Sequence, residues 1–239
     1  MKNFPISIYD DFYDDPEEIR KVALEMEFSS QRGVNPHLRT NCLSTVNPEL
    51  HYKCVHKFLS IYGDFDIPDV QWHCQCFFQK SWRFSSDIDD PINQGWIHSD
   101  DGVYLAGIAY LSHNTPLDTG TSFYRKKNSN KSEPKDMEYD FFQVLGTDEE
   151  NLDQPRSNIE SISRFRNLIS DHNDSFTHIA ESKNVYNRMI AYDSSIFHAQ
   201  SNYWMPNDDD YRLIQLFFVD QLISPNYNFP ISRCNRYAI

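Results

Sequence analysis

Glycine is scarce in this chain, whose 239 residues include only seven. No two glycines lie within four residues of each other, so there is no G-x-G-x-x-G segment, and no G-K-S/T follows any glycine. Both glycine-rich phosphate-binding loops are therefore absent. The sequence excludes the nucleotide and dinucleotide chemistry that depends on those two loops.

Basic residues are also in short supply. Lysine and arginine total 22 against 35 aspartates and glutamates, which gives a formal net charge of −13 at pH 7. A chain with this balance repels phosphate backbones. We therefore expect no nucleic-acid partner that is bound through a basic surface.

Cysteine is infrequent and odd in number, and long apolar runs are missing. The five cysteines do not suggest a disulfide framework in a chain of this length. The first residues do not resemble a secretory leader, and apolar runs such as 216–219 are far too short to span a membrane. We expect a cytoplasmic protein with no membrane partner.

Aromatic and β-branched residues dominate what the chain does contain, since 15% of it is aromatic. Asp15 followed by Pro16 predicts a helix start, and a second helix is predicted over 48–62. Short runs typical of strands, separated by Asn, Asp, Ser and Pro clusters, lie at 70–79, 104–111, 121–124, 185–192 and 212–219. These patterns predict a mainly β sandwich or barrel with helices at its N-terminal end.

The chain is predicted to be one domain over 1–239. Its N-terminal strand and supporting helices occupy 1–66, and the β core occupies 67–220. A polar, acidic insertion is predicted at about 126–175, with one helix over about 158–170. The remaining residues, 221–239, form a C-terminal tail.

The segment W-I-H-S-D contains the first candidate metal ligands, His98 and Asp100. Side chains two residues apart on a strand point to the same face, so an imidazole and a carboxylate can reach one metal ion. The alternative is a simple hydrogen bond between His98 and Asp100 at a strand end. The H-x-D pattern alone does not decide between them.

Two later residues extend this pattern. His198 follows an apolar strand, and Arg212 opens the apolar run R-L-I-Q-L-F-F-V. Two histidines and one carboxylate form the facial triad of non-haem Fe(II) oxygenases, which leaves coordination positions open. An arginine that points inward from such a strand needs an anionic partner, either a bound carboxylate or a neighbouring aspartate such as Asp210.

Two further patterns carry alternative interpretations. The histidines and cysteines in H-Y-K-C-V-H (51–56) and H-C-Q-C (73–76) could form a zinc site, although the expected C-x2-C and H-x3-H pairs are absent. The acidic runs 87–90 and 208–210 are either solvated loops or a surface that attracts a cationic substrate.

In their order, these motifs resemble the Fe(II)/2-oxoglutarate-dependent dioxygenases, and especially the branch of prolyl 4-hydroxylases with its small bacterial and phage-type members. The similarity consists of H-S-D (98–100), A-Y-L-S (109–112), G-T-S-F-Y (120–124), F-H-A (197–199) and Y-R-L-I-Q-L-F-F-V-D (211–220). The opening I-Y-D-D-F-Y-D-D-P-E-E-I-R is similar to the start of small members. The likeness is weakest over 126–175.

The resemblance implies a double-stranded β-helix, the cupin-like jelly roll. It implies that His98, Asp100 and His198 bind Fe(II) and that Arg212 and Tyr110 bind the distal carboxylate of 2-oxoglutarate. Gln79, or else Gln75, would lie near the carboxylate at the metal. The implied reaction uses O2, converts 2-oxoglutarate to succinate and CO2, and hydroxylates a C–H bond of the substrate.

The implied substrate is a peptide or protein residue, with peptidyl proline first, or a small molecule. Two other functions fit a jelly roll. One is a binding or structural protein without catalysis, and the other is a cupin-like metal isomerase or hydrolase. Arg212 and Tyr110 argue against the latter, because that chemistry needs no dicarboxylate clamp.

Overall fold

The computed structural model describes residues 6–30, 37–63, 70–100, 102–127 and 159–223, with the side chains of Ser30 and 159–165 left aside. Parts of three predictions lie outside these ranges: most of the insertion (128–158), the tail from 224 onward, and Cys234.

The helices and strands follow the order expected for a mainly β chain with helices near its N-terminus. The helices are α1 (Pro16–Glu25), α2 (Leu43–Val46), α3 (Pro48–Leu59) and α4 (Ile159–Asn173). The strands are β1 (Ile6–Tyr9), β2 (Ser29–Ser30), β3 (Leu38–Arg39), β4 (Gln71–Ser81), β5 (Leu105–Tyr110), β6 (Thr121–Lys126), β7 (Phe176–Ser182), β8 (Met189–Asp193), β9 (Phe197–Gln200) and β10 (Arg212–Ile223). Single 3-10 turns lie at Pro91–Asn93 and Leu117–Thr119.

Two antiparallel sheets hold these strands. The larger has seven strands in the order β1-β8-β5-β10-β4-β3-β2, and the smaller has three in the order β7-β6-β9. The long strand β10 lies at the middle of the larger sheet, paired with β5 on one side and β4 on the other. Its central place makes β10 the strand that positions the interior of the domain.

Both faces of the larger sheet are buried, which explains the nearly continuous apolar run of β10. On the outer face, Phe217 stacks on Phe58 of α3 with ring centroids 4.7 Å apart. A Cβ on Gly107 of β5 would lie 2.5 Å from the Phe58 ring, so only glycine admits α3 this closely. On the inner face, Ile214 and Tyr110 belong to a second buried cluster between the two sheets.

The predicted helix starts are confirmed, and their caps follow from the sequence. The Asp15 side chain accepts a hydrogen bond from the Glu18 backbone N–H, and Asn47 likewise caps α3. However, α3 ends at Leu59 and does not reach residue 62. The N–H groups of Ile61 and Tyr62 donate to carbonyls three residues back, so the helix closes in a tighter turn.

Two strand predictions differ from the structure. Strand β8 begins at Met189 and not at residue 185, because Arg188 donates to the Val185 carbonyl and Asn187 adopts a left-handed φ of 60°. Strand β7 is not predicted at all. It is an edge strand whose residues 177–180 are exposed, and an exposed edge strand lacks the apolar pattern that reveals a buried one.

The zinc interpretation is wrong for the described residues. Cys54, Cys74 and Cys76 are free thiols packed in the core between the larger sheet and the helices. His51 contacts the Cys74 carbonyl oxygen, and His73 pairs with Asp220. In those same ranges, one group of potential metal ligands is found, and it lies elsewhere.

Within the ranges given above, no helix combines the length and the apolar character needed to cross a membrane.

Candidate metal centre

The backbone brings the two predicted histidine ligands side by side. His98 and His198 form an antiparallel bridge in which each N–H donates to the other's carbonyl, at 3.0 and 2.8 Å. Residue 98 is thus joined to the edge of β9 and does not belong to a regular strand of its own. The Asp100 N–H donates to the Ser194 carbonyl at 3.0 Å, which turns Asp100 toward the same point. One ligand atom from each of these three side chains lies within 4.8 Å of the other two.

Both imidazoles have the tautomer that a metal ligand needs. The Nδ1 atom of His98 lies 2.8 Å from the Trp96 carbonyl oxygen, and Nδ1 of His198 lies 2.8 Å from the Ile196 carbonyl oxygen. A carbonyl only accepts hydrogen bonds, so Nδ1 carries the proton and Nε2 presents a lone pair. Burial, followed by the neighbouring His98, lowers the pKa of His198 to about 4, so this imidazole is neutral at pH 7.

The Asp100 carboxylate faces these lone pairs without a hydrogen-bond donor. Its Oδ1 is 3.7 Å from Nε2 of His98, too far for a hydrogen bond, so the simple His98–Asp100 bond proposed as the alternative is absent. Its Oδ2 is 3.4 Å from Nε2 of His198 and is buried with no donor. Acceptors that face one another with no donor between them need a cation, so the donor set fits a divalent metal.

Helix α4 holds the segment that carries His98. The Asn173 side chain accepts from the Ile97 N–H at 3.2 Å and donates to the Gly95 carbonyl at 3.0 Å. The His172 ring contacts the Ile97 carbonyl oxygen at 2.7 Å and stacks on Trp96 with centroids 3.6 Å apart. The end of the predicted insertion therefore belongs to the framework of the site, which the sequence analysis did not foresee.

Arg212 lies deep inside the domain with half of its guanidinium unsatisfied. The residue is 1% exposed, and Nη1 donates to Gln200 Oε1 at 2.6 Å. Nε and Nη2 have no hydrogen-bond partner within the described residues. Asp210 instead accepts from Asn207, so the Asp210 ion pair considered above is wrong. Burial lowers the pKa of Arg212, opposed first by Tyr110.

The interior of the sheet places Tyr110 and Gln79 in one row, on either side of Ile214 of β10. Tyr110 is fully buried beneath the Arg212 guanidinium, whose central carbon is 5.2 Å from the ring centroid. Its hydroxyl donates to Thr121 Oγ1 at 2.9 Å. Gln79 accepts from Arg39 Nε at 2.6 Å, so its amide supports a second arginine that the sequence analysis did not select.

Two of the site residues that were not predicted differ in how far the sequence could have revealed them. Gln200 follows His198 by two positions on β9, so alternation alone would have placed it on the same face. Arg39 lies on a strand of only two residues, which is too short to show any pattern.

The acidic runs flanking the site are partly neutralised by the chain itself. Asp90 accepts two hydrogen bonds of 2.7 Å from Nε and Nη2 of Arg166. Asp208 accepts from Nε and Nη2 of Arg83 at 3.0 and 2.7 Å. These two carboxylates therefore already have cationic partners and are less suited to attract a cationic substrate.

Two solved structures of similar fold are of proteins that bind or depend on 2-oxoglutarate. HygX from Streptomyces hygroscopicus, solved with nickel and 2-oxoglutarate, is 9% identical, with 90% of this chain and 82% of that chain covered and a TM-score of 0.51. The epimerase SnoN from nogalamycin biosynthesis, described as non-heme and alpha-ketoglutarate-dependent, is 8% identical, with 90% and 78% covered and a TM-score of 0.51. These likenesses confirm the predicted jelly-roll fold.

A Pseudomonas putida prolyl-4-hydroxylase is 9% identical, with 91% of this chain and 92% of that chain covered, but its TM-score of 0.43 is too low to support the prolyl hydroxylase branch. No curated protein matches the chain. One family model matches residues 1–201, and its description is a family of unknown function, DUF6445. The chain therefore belongs to the DUF6445 family and has the jelly-roll fold of the 2-oxoglutarate-dependent oxygenases.

Proposed function

We propose that the protein is an Fe(II)- and 2-oxoglutarate-dependent oxygenase. His98, Asp100 and His198 bind the metal, and Arg212 binds the distal carboxylate of the cosubstrate. The observation that carries this proposal is a pair of unpartnered groups of opposite charge inside one jelly roll. The buried Oδ2 atom of Asp100 lacks a cation, and the buried Arg212 lacks an anion.

The free edge of Arg212 has the shape of a carboxylate site. Nε and Nη2 are the two unpartnered nitrogens, and they form one edge of the guanidinium. The same edge binds a carboxylate at three other arginines of the described residues. Arg166 binds Asp90 at 2.7 and 2.7 Å, and Arg188 binds Asp10 at 2.5 and 2.9 Å. Arg83 binds Asp208 at 3.0 and 2.7 Å. A ligand carboxylate on this edge accepts hydrogen bonds from Nε and Nη2 of Arg212 in the same way.

The distance between the metal ligands and Arg212 suits a short dicarboxylate. Gln200, which holds Nη1 of Arg212, follows His198 by two residues on β9, a rise of roughly 7 Å along a strand. One end of a five-carbon diacid can therefore reach the metal ligands while the other end reaches Arg212. Tyr110 contributes its hydroxyl to the same carboxylate after turning away from Thr121.

Bound Fe(II) supplies the chemistry by coupling the oxidation of 2-oxoglutarate with O2, to succinate and CO2, to the oxidation of a substrate C–H bond. The chain supplies two imidazoles and one carboxylate, which leave other coordination positions open for the cosubstrate and O2. Buried side chains such as Tyr110, Tyr192 and Ile214 exclude water around the cosubstrate.

The proposed outcome is hydroxylation. The motif resemblance to prolyl hydroxylases makes a peptidyl proline the first substrate to test. The fold likeness to HygX, which has been solved with hygromycin B bound, makes small molecules the second class.

The proposal is tested without knowledge of the substrate. Purified protein is mixed anaerobically with Fe(II) and 2-oxoglutarate, and the visible charge-transfer band and the melting temperature are recorded. We expect the band and a rise in melting temperature for the wild type, because ligands that bind only the native state stabilise it. His198→Ala should lose both, whereas His73→Ala should keep both, since His73 is exposed and pairs with Asp220.

A wild type that shows neither the band nor any effect of iron and 2-oxoglutarate on melting would contradict the proposal. It would favour a jelly-roll protein with a binding or structural role and no catalytic activity. Succinate formation in air, with and without candidate substrates, then separates a working oxygenase from a protein that only binds the cosubstrate.

A further inference from the structure

Arg39 brings a second guanidinium to the metal-site end of the jelly roll. Arg39 on strand β3 pairs with Gln79 of β4, and Gln79 pairs with Ile214 of β10. Ile214 pairs in turn with Tyr110 of β5. These four residues form one row across neighbouring strands, so their side chains share a face of the sheet. The Arg39 guanidinium also lies over the ring of Phe218, 6.0 Å from its centroid.

A neutral group holds this arginine in place. Arg39 Nε donates to Gln79 Oε1 at 2.6 Å, and Gln79 Nε2 donates in turn to Ser81 Oγ at 3.2 Å. In the part of the chain that the structure describes, Gln79 is the hydrogen-bond partner of Arg39, and no carboxylate lies within ion-pair distance of it. The Nη1–Nη2 end of the fork is therefore available for a ligand.

Arg39 shares a row of the sheet with Tyr110, over whose ring the Arg212 guanidinium lies, and it feels the charge of Asp100. Burial lowers the pKa of Arg39 to about 10, and attraction to Asp100, then to Tyr203, opposes that effect. Arg39 is thus charged at neutral pH. Burial raises the pKa of Tyr203 to about 12, and the charges of Arg212 and then Arg39 oppose that rise.

The two arginines occupy different depths. Arg212 is 1% exposed at the closed interior, whereas Arg39 is only half-buried. Asp90 and Asp208 of the flanking acidic runs are each paired with an arginine of the chain. Arg39 has no carboxylate partner among the described residues, and an unpaired cation favours an anionic substrate over a cationic one.

We infer that Arg39 binds a carboxylate of the substrate beside the metal ligands, in a second anion site that is distinct from the one at Arg212. The inference rests on the proposed function, because it assigns the Arg212 site to 2-oxoglutarate. The Nη1–Nη2 fork matches a carboxylate, and the Gln79 amide fixes its direction. Arg39 is thus a specificity-determining residue, which selects substrates that carry an acid group near the oxidised carbon.

The test uses acetate as the probe and acetamide as its neutral match. Protein loaded with Zn(II) in place of iron, and with saturating 2-oxoglutarate, is titrated while arginine Nε–H resonances are followed by NMR. The Arg39 resonance is assigned as the one missing in Arg39→Gln, or in Arg39→Lys if the first variant does not fold. We expect this resonance to shift with acetate and not with acetamide.

The Arg39→Gln variant measures how much Arg39 contributes to the affinity for acetate. Arg39→Gln should weaken acetate binding roughly tenfold or more, because a hydrogen bond to a charged group is lost. Arg125→Gln, which changes an exposed arginine of β6, should leave acetate binding unchanged. Equal acetate affinity in the wild type and in Arg39→Gln would overturn the inference, as would an Arg39 resonance that does not respond.

A second arm separates the two sources of a carboxylate. The affinity for 2-oxoglutarate is measured in Arg39→Gln from the Fe(II) charge-transfer band. An unchanged affinity supports a substrate site, whereas a loss of roughly tenfold, or displacement of acetate by 2-oxoglutarate in the wild type, assigns Arg39 to the cosubstrate and overturns the inference.

The proposed function can fail separately. If metal and 2-oxoglutarate do not bind but the Arg39 resonance of the ligand-free protein shifts with acetate, the oxygenase assignment fails and the anion site stands. If metal and 2-oxoglutarate bind but the Arg39 resonance does not shift with acetate, the oxygenase assignment stands and the anion site at Arg39 fails.

Discussion

Replacing Arg212 by methionine should make the ligand-free protein more stable. The wild type buries this cation with one hydrogen bond, to Gln200, and two nitrogens without partners. Methionine has a similar length and is apolar, and it would pack against Tyr110 and Ile214 of the inner cluster. The direction of this change is therefore a sensitive test of the site.

The magnitude follows from two opposing effects. Replacing buried charges by apolar residues of similar volume is often stabilising by about 1–4 kcal/mol. Gln200 loses its donor, which costs about 1 kcal/mol because its side chain is only partly buried. The net gain is therefore roughly 0–3 kcal/mol, or about 2–4 °C in melting temperature for each kcal/mol in a chain of this size.

The cosubstrate should reverse the order. At about 1,000 times its Kd, 2-oxoglutarate stabilises the wild type by about 4.1 kcal/mol, which exceeds the gain expected from methionine. Arg212→Met should gain nothing from it, because the distal carboxylate has lost its partner. Calorimetry under nitrogen gives the melting temperatures of both proteins, each with and without Zn(II) and 2-oxoglutarate.

Arg125→Met is the matched control for that experiment. It replaces an exposed arginine of β6 and should change stability by less than about 0.5 kcal/mol. The reasoning would be refuted if Arg212→Met melted below the wild type and was still stabilised by 2-oxoglutarate. That outcome would make Arg212 a structural residue with a partner other than the cosubstrate.

Three other changes test the surroundings of the site. Asp100→Asn should stabilise the metal-free protein, since the new amide can donate to His198 Nε2, and should abolish metal binding; calorimetric titration that still shows metal binding would contradict this. Gly95→Ala places a Cβ 2.6 Å from the Gln200 carbonyl, so it should lower stability by about 1–3 kcal/mol and weaken metal binding; an unchanged melting temperature would refute the close contact. Asp90→Asn should cost about 1 kcal/mol at pH 7 and less as the pH is lowered, because the hydrogen bond from Arg166 holds the pKa of Asp90 below its ordinary value and the stabilisation of the pair is lost as pH falls through that lowered value; urea unfolding that shows the same difference at pH 7 and in acid would exclude the ion pair as its cause.

The sequence was most informative where one short segment carried the chemistry. His98 and Asp100 lie two residues apart, and Arg212 opens the most apolar strand, so residue type and spacing drew attention to them. The structure brings the atoms of His98, Asp100 and His198 within 4.8 Å. The order of the elements was predictable for a related reason, because the buried strands of a jelly roll show their apolar pattern directly.

The sequence was least informative where position depends on long-range contacts. Arg39 reaches the site through a strand of two residues, and Asn173 reaches it from the end of a helix across the domain. Neither residue belongs to a local pattern that distinguishes it from surface residues of the same type. The exposed edge strand β7 was missed because nothing packs on most of its length.

The Nδ1 contacts of His98 and His198 have a consequence for handling the protein. Both acceptors are main-chain carbonyls, so the donor nitrogens are already directed in the metal-free protein, with no tautomer change left to discriminate among ions. A preset site of this kind follows the general affinity order of divalent ions, in which nickel, copper and zinc all exceed Fe(II). Nickel carried over from an affinity column is therefore expected to occupy the site and to suppress turnover. Iron content will reflect supply more than selection, and the protein should be stripped with a chelator before iron is added.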